Sequence, residues 1–460
     1  MRPQISVIIP VFNDPDNLGL CLASLRDSED RPLECIVVDD GSTDKSVEVA
    51  RELGAKVLST GGRLGPACAR NIGARAASGD VLLFIDADVC VESGTIGKIR
   101  AEFDSDPTLD ALMGSYDNEP SIPAFVSQYR NLLHHYAHQS SAGKAATFWS
   151  GCGAIRKSVF LDFGGFNEMY QAPAIEDIEL GYRMAQAKRN VILCPDVQVK
   201  HLKRWTIHNM LRTDFFYRAL PWSQLSLKSG NMPDTLSLRI SQRISVALVF
   251  LVVLMAATLT VLWHVYFLVP LFATFFILLS GYWIGGMAQN SWLVKTIMGG
   301  LLAAIAGVSL WFHMMGIAPL IAVAGLALLL RHRYAYSVEK RRKWTGFWVG
   351  GYCLAATVLV WIYFPWRPMV FLLFFLLLAL IVLNQQFYLF LAAERGKFFA
   401  LAAIPFHLLY FFSCGVAFII EYTRFKVRGI LGLSRSPEPA PRKVAEARTE
   451  TEAKAKAVAR

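Results

Sequence analysis

The stretch VLLFIDADVCVE, residues 81–92, opens with five apolar residues and then sets two carboxylates, Asp86 and Asp88, one residue apart. A second apolar run, ECIVVDD at residues 34–40, ends in Asp39 and Asp40. Like charges packed together are costly unless something neutralises them. An Asp at one strand end usually does no more than begin a turn. Two pairs on the same edge of one sheet point to a divalent cation, because carboxylate oxygens are the ligands of Mg²⁺ and Mn²⁺, commonly together with substrate phosphates. VLLFIDAD is therefore expected to hold a metal that carries a diphosphate.

Around these runs strands alternate with helices. ISVIIPVF (5–12) is a short strand, and Leu18, Cys21, Leu22 and Leu25 follow at helical spacing. DGSTDKSVEVARELG (40–54) reads as a turn and a helix with Val47, Ala50 and Leu53 on one face and Gly54 as its C-cap. AKVLST (55–60) is a strand, and GPACARNIGARAASG (65–79) a helix of small residues. This pace is that of βαβ units. It predicts an α/β fold with a mostly parallel sheet and a ligand site beyond the carboxyl ends of the strands.

ISVIIPVFN, VVDDGSTD, ARN (69–71) and DAD (86–88), in this order, resemble the nucleotide-binding half of family 2 glycosyltransferases of the GT-A fold. The resemblance covers residues 5 to about 225 and implies a nucleoside-diphosphate sugar donor of the UDP or GDP type. It implies a nucleotide pocket with Pro10, Asn13, Asp39 and Asp40, in which Asp40 bonds the base and Arg70 lies beside it. Asp86 would reach the ribose or the metal, and Asp88 would ligate the metal directly.

On the acceptor side, FWSGCGAIRKSVFLDFGGFNEMY (148–170) has small residues at 150–154. Gly151 and Gly153 would let backbone approach a sugar closely, unless they merely form a turn before a core helix. Glu176 and Asp177 stand at a helix start, where acidic residues are stabilising in any protein. Sugar transfer with inversion also needs a carboxylate to take the acceptor's proton. In the resembled family an ED pair at this position supplies that base, which implies Asp177 as the base and Glu176 as an orienting or acceptor-contacting residue. In related enzymes a residue at the position of His201 is often a third metal ligand. Lys203, Arg204 and Trp205 suit a diphosphate leaving group and an interfacial contact. Processive synthases of the same broad family carry Gln-x-x-Arg-Trp. Here HLKRW begins with His only 24 residues after Asp177, and RALPW (218–222) lacks the Arg before Trp. Single-sugar transfer is favoured over polymerisation.

The 460 residues are 54% hydrophobic, and the excess lies after residue 243. Apolar runs at 244–263, 266–285, 347–364, 368–391 and 398–420, with a longer one at 296–330 that Gly316 and Pro319 would break in two, predict six or seven membrane helices. The formal charge of +10 fits basic loops beside membrane spans, with RHRYAYSVEKRRK (331–343) on the cytoplasmic side. Nothing indicates nucleic-acid binding. Eight cysteines without CxxC spacing argue against a zinc site or a disulfide framework. The start, MRPQISVIIP, does not read as a signal peptide. The expected organisation is a cytosolic catalytic domain at 1–235, a transmembrane domain at 236–422 and a disordered polar tail at 423–460, in a multi-pass protein of the inner membrane. Residues 203–228, basic and aromatic, read equally as an interfacial helix or as a surface helix packed on the catalytic domain. The expected partners are the donor, a lipid or polyprenyl acceptor and the bilayer. The rivals are a processive polysaccharide synthase and a non-catalytic membrane transport or scaffold protein.

Overall fold

The computed structural model describes residues 2–230, 239–263 and 367–431. Strands β1 (Ile5–Val11), β2 (Glu34–Asp39), β3 (Lys56–Ser59) and β4 (Val81–Ile85) pair in parallel in the order β3-β2-β1-β4. Their near-continuous apolar runs fit burial on both faces, and two clusters cover the faces. Ile5, Val7 and Ile9 pack with Leu18, Cys21, Leu22 and Leu25 of α1 (Pro15–Arg26) and Ala50 of α2 (Ser46–Glu52). Ile8, Val38, Leu82 and Phe84 pack on the other side with Ala67, Ala69 and Ala74 of α3 (Pro66–Ala76). The helical spacing read for α1 is met in full. In α2 only Ala50 of the expected face is fully buried, and Gly54, at φ 79°, follows the helix as the C-cap reading requires.

Beyond β4 the parallel expectation fails. β8 (Cys152–Arg156) runs antiparallel to both β4 and β6 (Ala111–Tyr116). β5 (Val89–Val91) and β7 (Gly143–Lys144) run antiparallel to β9 (Val191–His201), which is parallel to β6. The sheet is therefore mixed. The antiparallel pairs join strands far apart in the chain, β4 with β8 and β5 with β9, so their direction is set by long-range partners and not by a βαβ crossover. α4 (Thr95–Ser105), α5 (Phe125–Gln139), α6 (Lys157–Asp162) and α7 (Glu176–Gln186) complete the layers.

A helical stretch follows: α8 (Ile207–Arg212), a π-helical turn over Thr213–Ala219 and α9 (Leu220–Ser229). It packs chiefly on the helix Lys397–Ile430, Trp205 and Met210 also meet Tyr129 and Leu132 of α5, and the Trp222 indole donates to the Tyr182 hydroxyl at 3.2 Å, while Phe216 stays exposed. Then come α10 (Ile240–Trp263), α11 (Arg367–Leu383), α12 (Gln385–Arg395) and α13 (Lys397–Ile430).

The chain divides into two units, Met1–Val249 with Val382–Arg460, and Phe250–Ile381. The first unit thus groups residues after 381 with the N-terminal ones. The cause is a third apolar cluster in which Tyr129, Leu132, Trp205 and Met210 pack with Phe387, Leu391 and Ala403. Arg395 adds polar ties, donating to the Gln128 side chain at 2.8 Å and to the Asn118 carbonyl at 2.7 Å.

Among the described residues, Ile240–Leu262 and Lys397–Ile430 are long and apolar enough to cross a membrane. The run expected as one span at 368–391 is broken: Pro368–Leu383 and Gln385–Arg395 meet at 64°. Asn384 at the break is buried and donates to the Ser245 hydroxyl at 2.9 Å. The runs at 266–285, 296–330 and 347–364, the loop at 331–343 and the end of the tail lie outside the described residues. Helix α13 continues past the expected limit of 422 to Ile430. Arg424 pairs with Glu421 one turn back at 2.6 Å, and Gly429 stands in the last turn.

Candidate active site

The carboxyl ends of β1, β2 and β4 lie on one edge, as the strand order requires. Asn13, held at φ 51°, accepts from the Thr43 amide at 2.8 Å through Oδ1, and its own amide donates to Ser42 Oγ at 3.0 Å. Asp39 accepts from the Ser42 amide at 2.9 Å. Asp40, buried, accepts from the amides of Leu64 at 2.8 Å and Gly65 at 3.0 Å and from the Thr60 hydroxyl at 3.1 Å. Each member of this acidic pair is thus satisfied by donors in the turns it organises. Pro10 is half-buried in β1 beside them.

Arg70 was expected beside a base. It lies buried between Asp86, at 2.6 Å, and Glu176, at 2.8 Å. Burial lowers its pKa, but the two carboxylates outweigh that and raise it. Burial raises the Asp86 carboxyl, with Arg70 opposing and Asp88 adding to the rise. Burial likewise raises Glu176, against Arg70 and with Asp177. Glu176 also accepts from the Ala174 amide at 3.0 Å. Asp177, half-buried, accepts from the Ser150 amide at 2.9 Å and hydroxyl at 3.1 Å through one oxygen, and from the Ile178 amide at 2.8 Å through the other.

Register places His201 opposite Val89, directly after the DAD turn. Its Nε2 lies 3.7 Å from Asp88 Oδ2, and Lys203 Nζ lies 3.9 Å from the same oxygen. Burial raises the Asp88 carboxyl, but the His201 bond and charge, with Lys203, overturn that and bring it to about 2. The Tyr116 ring stacks on His201 at 4.3 Å and 14°, which fixes the imidazole plane. A carboxylate and an imidazole suit Mn²⁺ or Mg²⁺ chemically, and ligands around one such cation stand about 3–4 Å apart. Among the described residues no third His, Cys, Asp or Glu joins them. Asp86, expected as a further ligand, is turned to Arg70 instead. Asp88 and His201 are therefore the two side chains here that would suit a cation, and among the described residues they have no third protein ligand.

One cavity of about 340 Å³ runs from Arg70, Asp86, Asp88 and Asp177 past Tyr116, Trp149 and His134 to Phe387, His407 and Tyr410 on α12 and α13. Trp205 lines it, with its indole nitrogen buried and without a partner among the described residues. Arg204 is exposed and lies off the cavity wall. Gly151 and Gly153 also serve another end than a sugar's approach. A Cβ at 151 would meet the Trp149 ring at 2.5 Å, and one at 153 the Phe148 ring at 2.6 Å, so these glycines make room for the protein's own aromatics. Sequence reasoning missed Tyr116, His134, Trp149 and Arg218. They sit in ordinary helix and strand patterns, and their convergence depends on β6, α5 and the π-helical turn meeting.

Residues 6–164 match the family model described as glycosyl transferase family 2. The O-antigen chain rhamnosyltransferase RfbN of Salmonella typhimurium is 26% identical over 241 residues, 48% of this chain and 74% of that protein. The pre-mycofactocin glycosyltransferase of Mycobacterium tuberculosis is 28% identical over 224 residues, 46% of each chain. An uncharacterised glycosyltransferase of Haemophilus influenzae is 37% identical over 101 residues, 21% of this chain, and the match spans only 40% of that relative's length. Among solved structures, the mannosyltransferase PcManGT of Pyrobaculum calidifontis, in complex with GDP-Man and Mn²⁺, is similar over 78% of this chain and 87% of its own, at 19% identity and a TM-score of 0.45. Residues 6–164 thus carry the pattern of glycosyl transferase family 2.

Proposed function

We propose that the chain is a membrane-anchored, metal-dependent glycosyltransferase. It moves one sugar, with inversion, from a UDP- or GDP-type donor to a lipid-associated acceptor at the cytoplasmic face. The observation that carries this reading is the single cavity in which Asp88 with His201, and Asp177 held by Ser150, open toward apolar helices α12 and α13. Domain organisation follows as a cytosolic catalytic part whose site is completed by those helices, in a multi-pass protein of the inner membrane.

In this reading Pro10, Asn13, Asp39 and Asp40 frame the nucleotide, and Asp88 with His201 holds the cation. A divalent cation there would neutralise the charge of a departing diphosphate. Lys203, beside Asp88, adds a positive charge on the same side. Asp177 takes the proton of the acceptor's attacking group. Ser150 and the Ile178 amide orient it. Glu176, tied to Arg70, positions Asp177 rather than acting as the base. Excluding water from a cavity of this kind strengthens each of these interactions.

The test is turnover in membranes with Mn²⁺, radiolabelled UDP- and GDP-sugars and extracted lipids, with Asp177→Asn as control. Label in the organic-soluble fraction only with the intact protein supports the reading. Label in a high-mass water-soluble polymer favours a processive synthase. No nucleotide binding with or without metal would leave a transport or scaffold role.

A further inference from the structure

The cavity wall carries a cation that the transfer chemistry above does not use. Arg218, on the π-helical turn, lines the cavity and donates to His134 Nε2 at 2.7 Å. The nearby carboxylate of Asp214 is spent on Arg130, with which it forms a buried pair. Among the described residues no carboxylate lies within 4.0 Å of Arg218. Burial holds the His134 imidazole well below its usual range, and the Arg130 and Arg218 charges hold it lower still, so the ring accepts from Arg218 rather than sharing its charge. A guanidinium lining a cavity with only a neutral partner has open donors facing that space, and the preferred partner of such a group is a carboxylate or phosphate.

Two observations separate this cation from the donor end. Asp88 already has His201 and Lys203 beside it. Tyr116 meets the His134 ring edge-on, with centroids 5.9 Å apart, and stacks on His201. In the other direction the lining mixes apolar Leu383, Phe387 and Cys414 with Asn384, Gln386 and His407. Its wall therefore passes from carboxylates to a guanidinium with no carboxylate partner among the described residues and then to an uncharged stretch along α12 and α13.

Building on the transfer reading, we infer that the acceptor is an anionic amphiphile: Arg218 holds an ionised oxygen of its head, Asp177 takes the proton of the attacking hydroxyl on the same head, and its apolar chain lies along Phe387 and Tyr410. The order of the wall matches such a molecule end to end. A neutral lipid would leave Arg218 desolvated without a counter-charge, which is costly.

The test uses the purified full chain in a neutral detergent and three probes of equal chain length: farnesyl phosphate, farnesoate and farnesol. Quenching of the cavity tryptophans reports binding, and titration of UDP and GDP with Mn²⁺ is followed separately. Either anion is expected to bind about tenfold or more tightly than the alcohol, the worth of one charge-assisted hydrogen bond. Arg218→Gln should remove that gap and Arg218→Lys keep part of it, with nucleotide affinity unchanged in both, which also reports an intact fold. Equal binding of all three probes overturns the inference, as does a gap that survives Arg218→Gln. A loss of nucleotide affinity in Arg218→Gln overturns it too, by assigning the guanidinium to the donor diphosphate. Failure of nucleotides to bind the unaltered chain would sink the transfer reading itself, and is read independently of the lipid probes.

Discussion

Ser150 grips Asp177 twice, through its amide at 2.9 Å and its hydroxyl at 3.1 Å, across 27 positions of sequence. The carboxylate is thereby aimed into the cavity before any substrate arrives. Asp177→Asn should lower turnover by about 10²–10⁴-fold while leaving nucleotide affinity alone, since the amide keeps the shape but not the basicity. Ser150→Ala removes one of the two bonds and should cost about tenfold or less. Steady-state rates beside nucleotide titrations would check both, and an active Asp177→Asn enzyme would remove Asp177 as the base.

Arg70 neutralises Glu176, and both side chains are about 5% exposed or less. Arg70→Met leaves that carboxylate unpaired and should destabilise the chain by about 3–5 kcal/mol. The double variant Arg70→Met with Glu176→Gln should recover part of the loss. Unfolding of the full chain in detergent measures both, and additive losses would mean that the pair is not coupled.

Asp88 and His201 are the two groups left to hold a cation. Asp88→Asn and His201→Ala should each weaken Mn²⁺-dependent nucleotide binding about tenfold or more, as loss of a ligand or its partner does elsewhere. Asp86→Asn should act mainly through Arg70. Manganese titration by electron spin resonance separates these outcomes, and unchanged Mn²⁺ binding in Asp88→Asn would exclude the site.

Burial, with the His135 and Arg218 charges, brings His138 down from 6.5 to about 4, so it folds neutral. Between those values the unfolded chain binds a proton that the native one refuses, and stability is lost as pH falls from about 6.5 toward 4. The loss from this one group is bounded at about 3 kcal/mol. His138→Phe should flatten the stability profile in that window, and an unchanged slope would place the proton uptake elsewhere.

Gly65 has φ +96°, and a Cβ there would meet the Gln171 carbonyl oxygen at 2.4 Å. Gly65→Ala should therefore cost roughly 1–3 kcal/mol from backbone strain alone, with the clash adding to it. It should also weaken nucleotide binding by displacing the loop that Asp40 holds. Thermal unfolding and nucleotide titration check the two effects.

The first four strands and their helices were legible because β-branched runs and helical spacing are local signals. Leu18, Cys21, Leu22 and Leu25 are buried as their spacing predicts. The carboxyl-edge position of Asp86 and Asp88 followed from strand order alone. What the sequence could not show is which carboxylate faces which cation. Asp40 and Asp86 look alike in their motifs, yet one meets backbone amides and the other an arginine from α3. The antiparallel insertion of β8 was hidden because pairing direction depends on partners far along the chain. The break at Asn384 was hidden because fifteen or more apolar residues read as one span whether or not a buried Asn finds a hydroxyl to bond.

Asn384, Phe387, His407, Tyr410 and Cys414 wall a cavity whose other lining residues all come before 243, apart from their neighbours Leu383 and Gln386. A ribosome finishes the nucleotide end long before it has made the last helix. Until residue 414 or so has emerged and folded back, the pocket lies open along one flank. Assembly therefore orders events in time: a half-made chain has carboxylates in place and no enclosed space in which to use them, and a chain shortened before 380 would keep that immature state permanently.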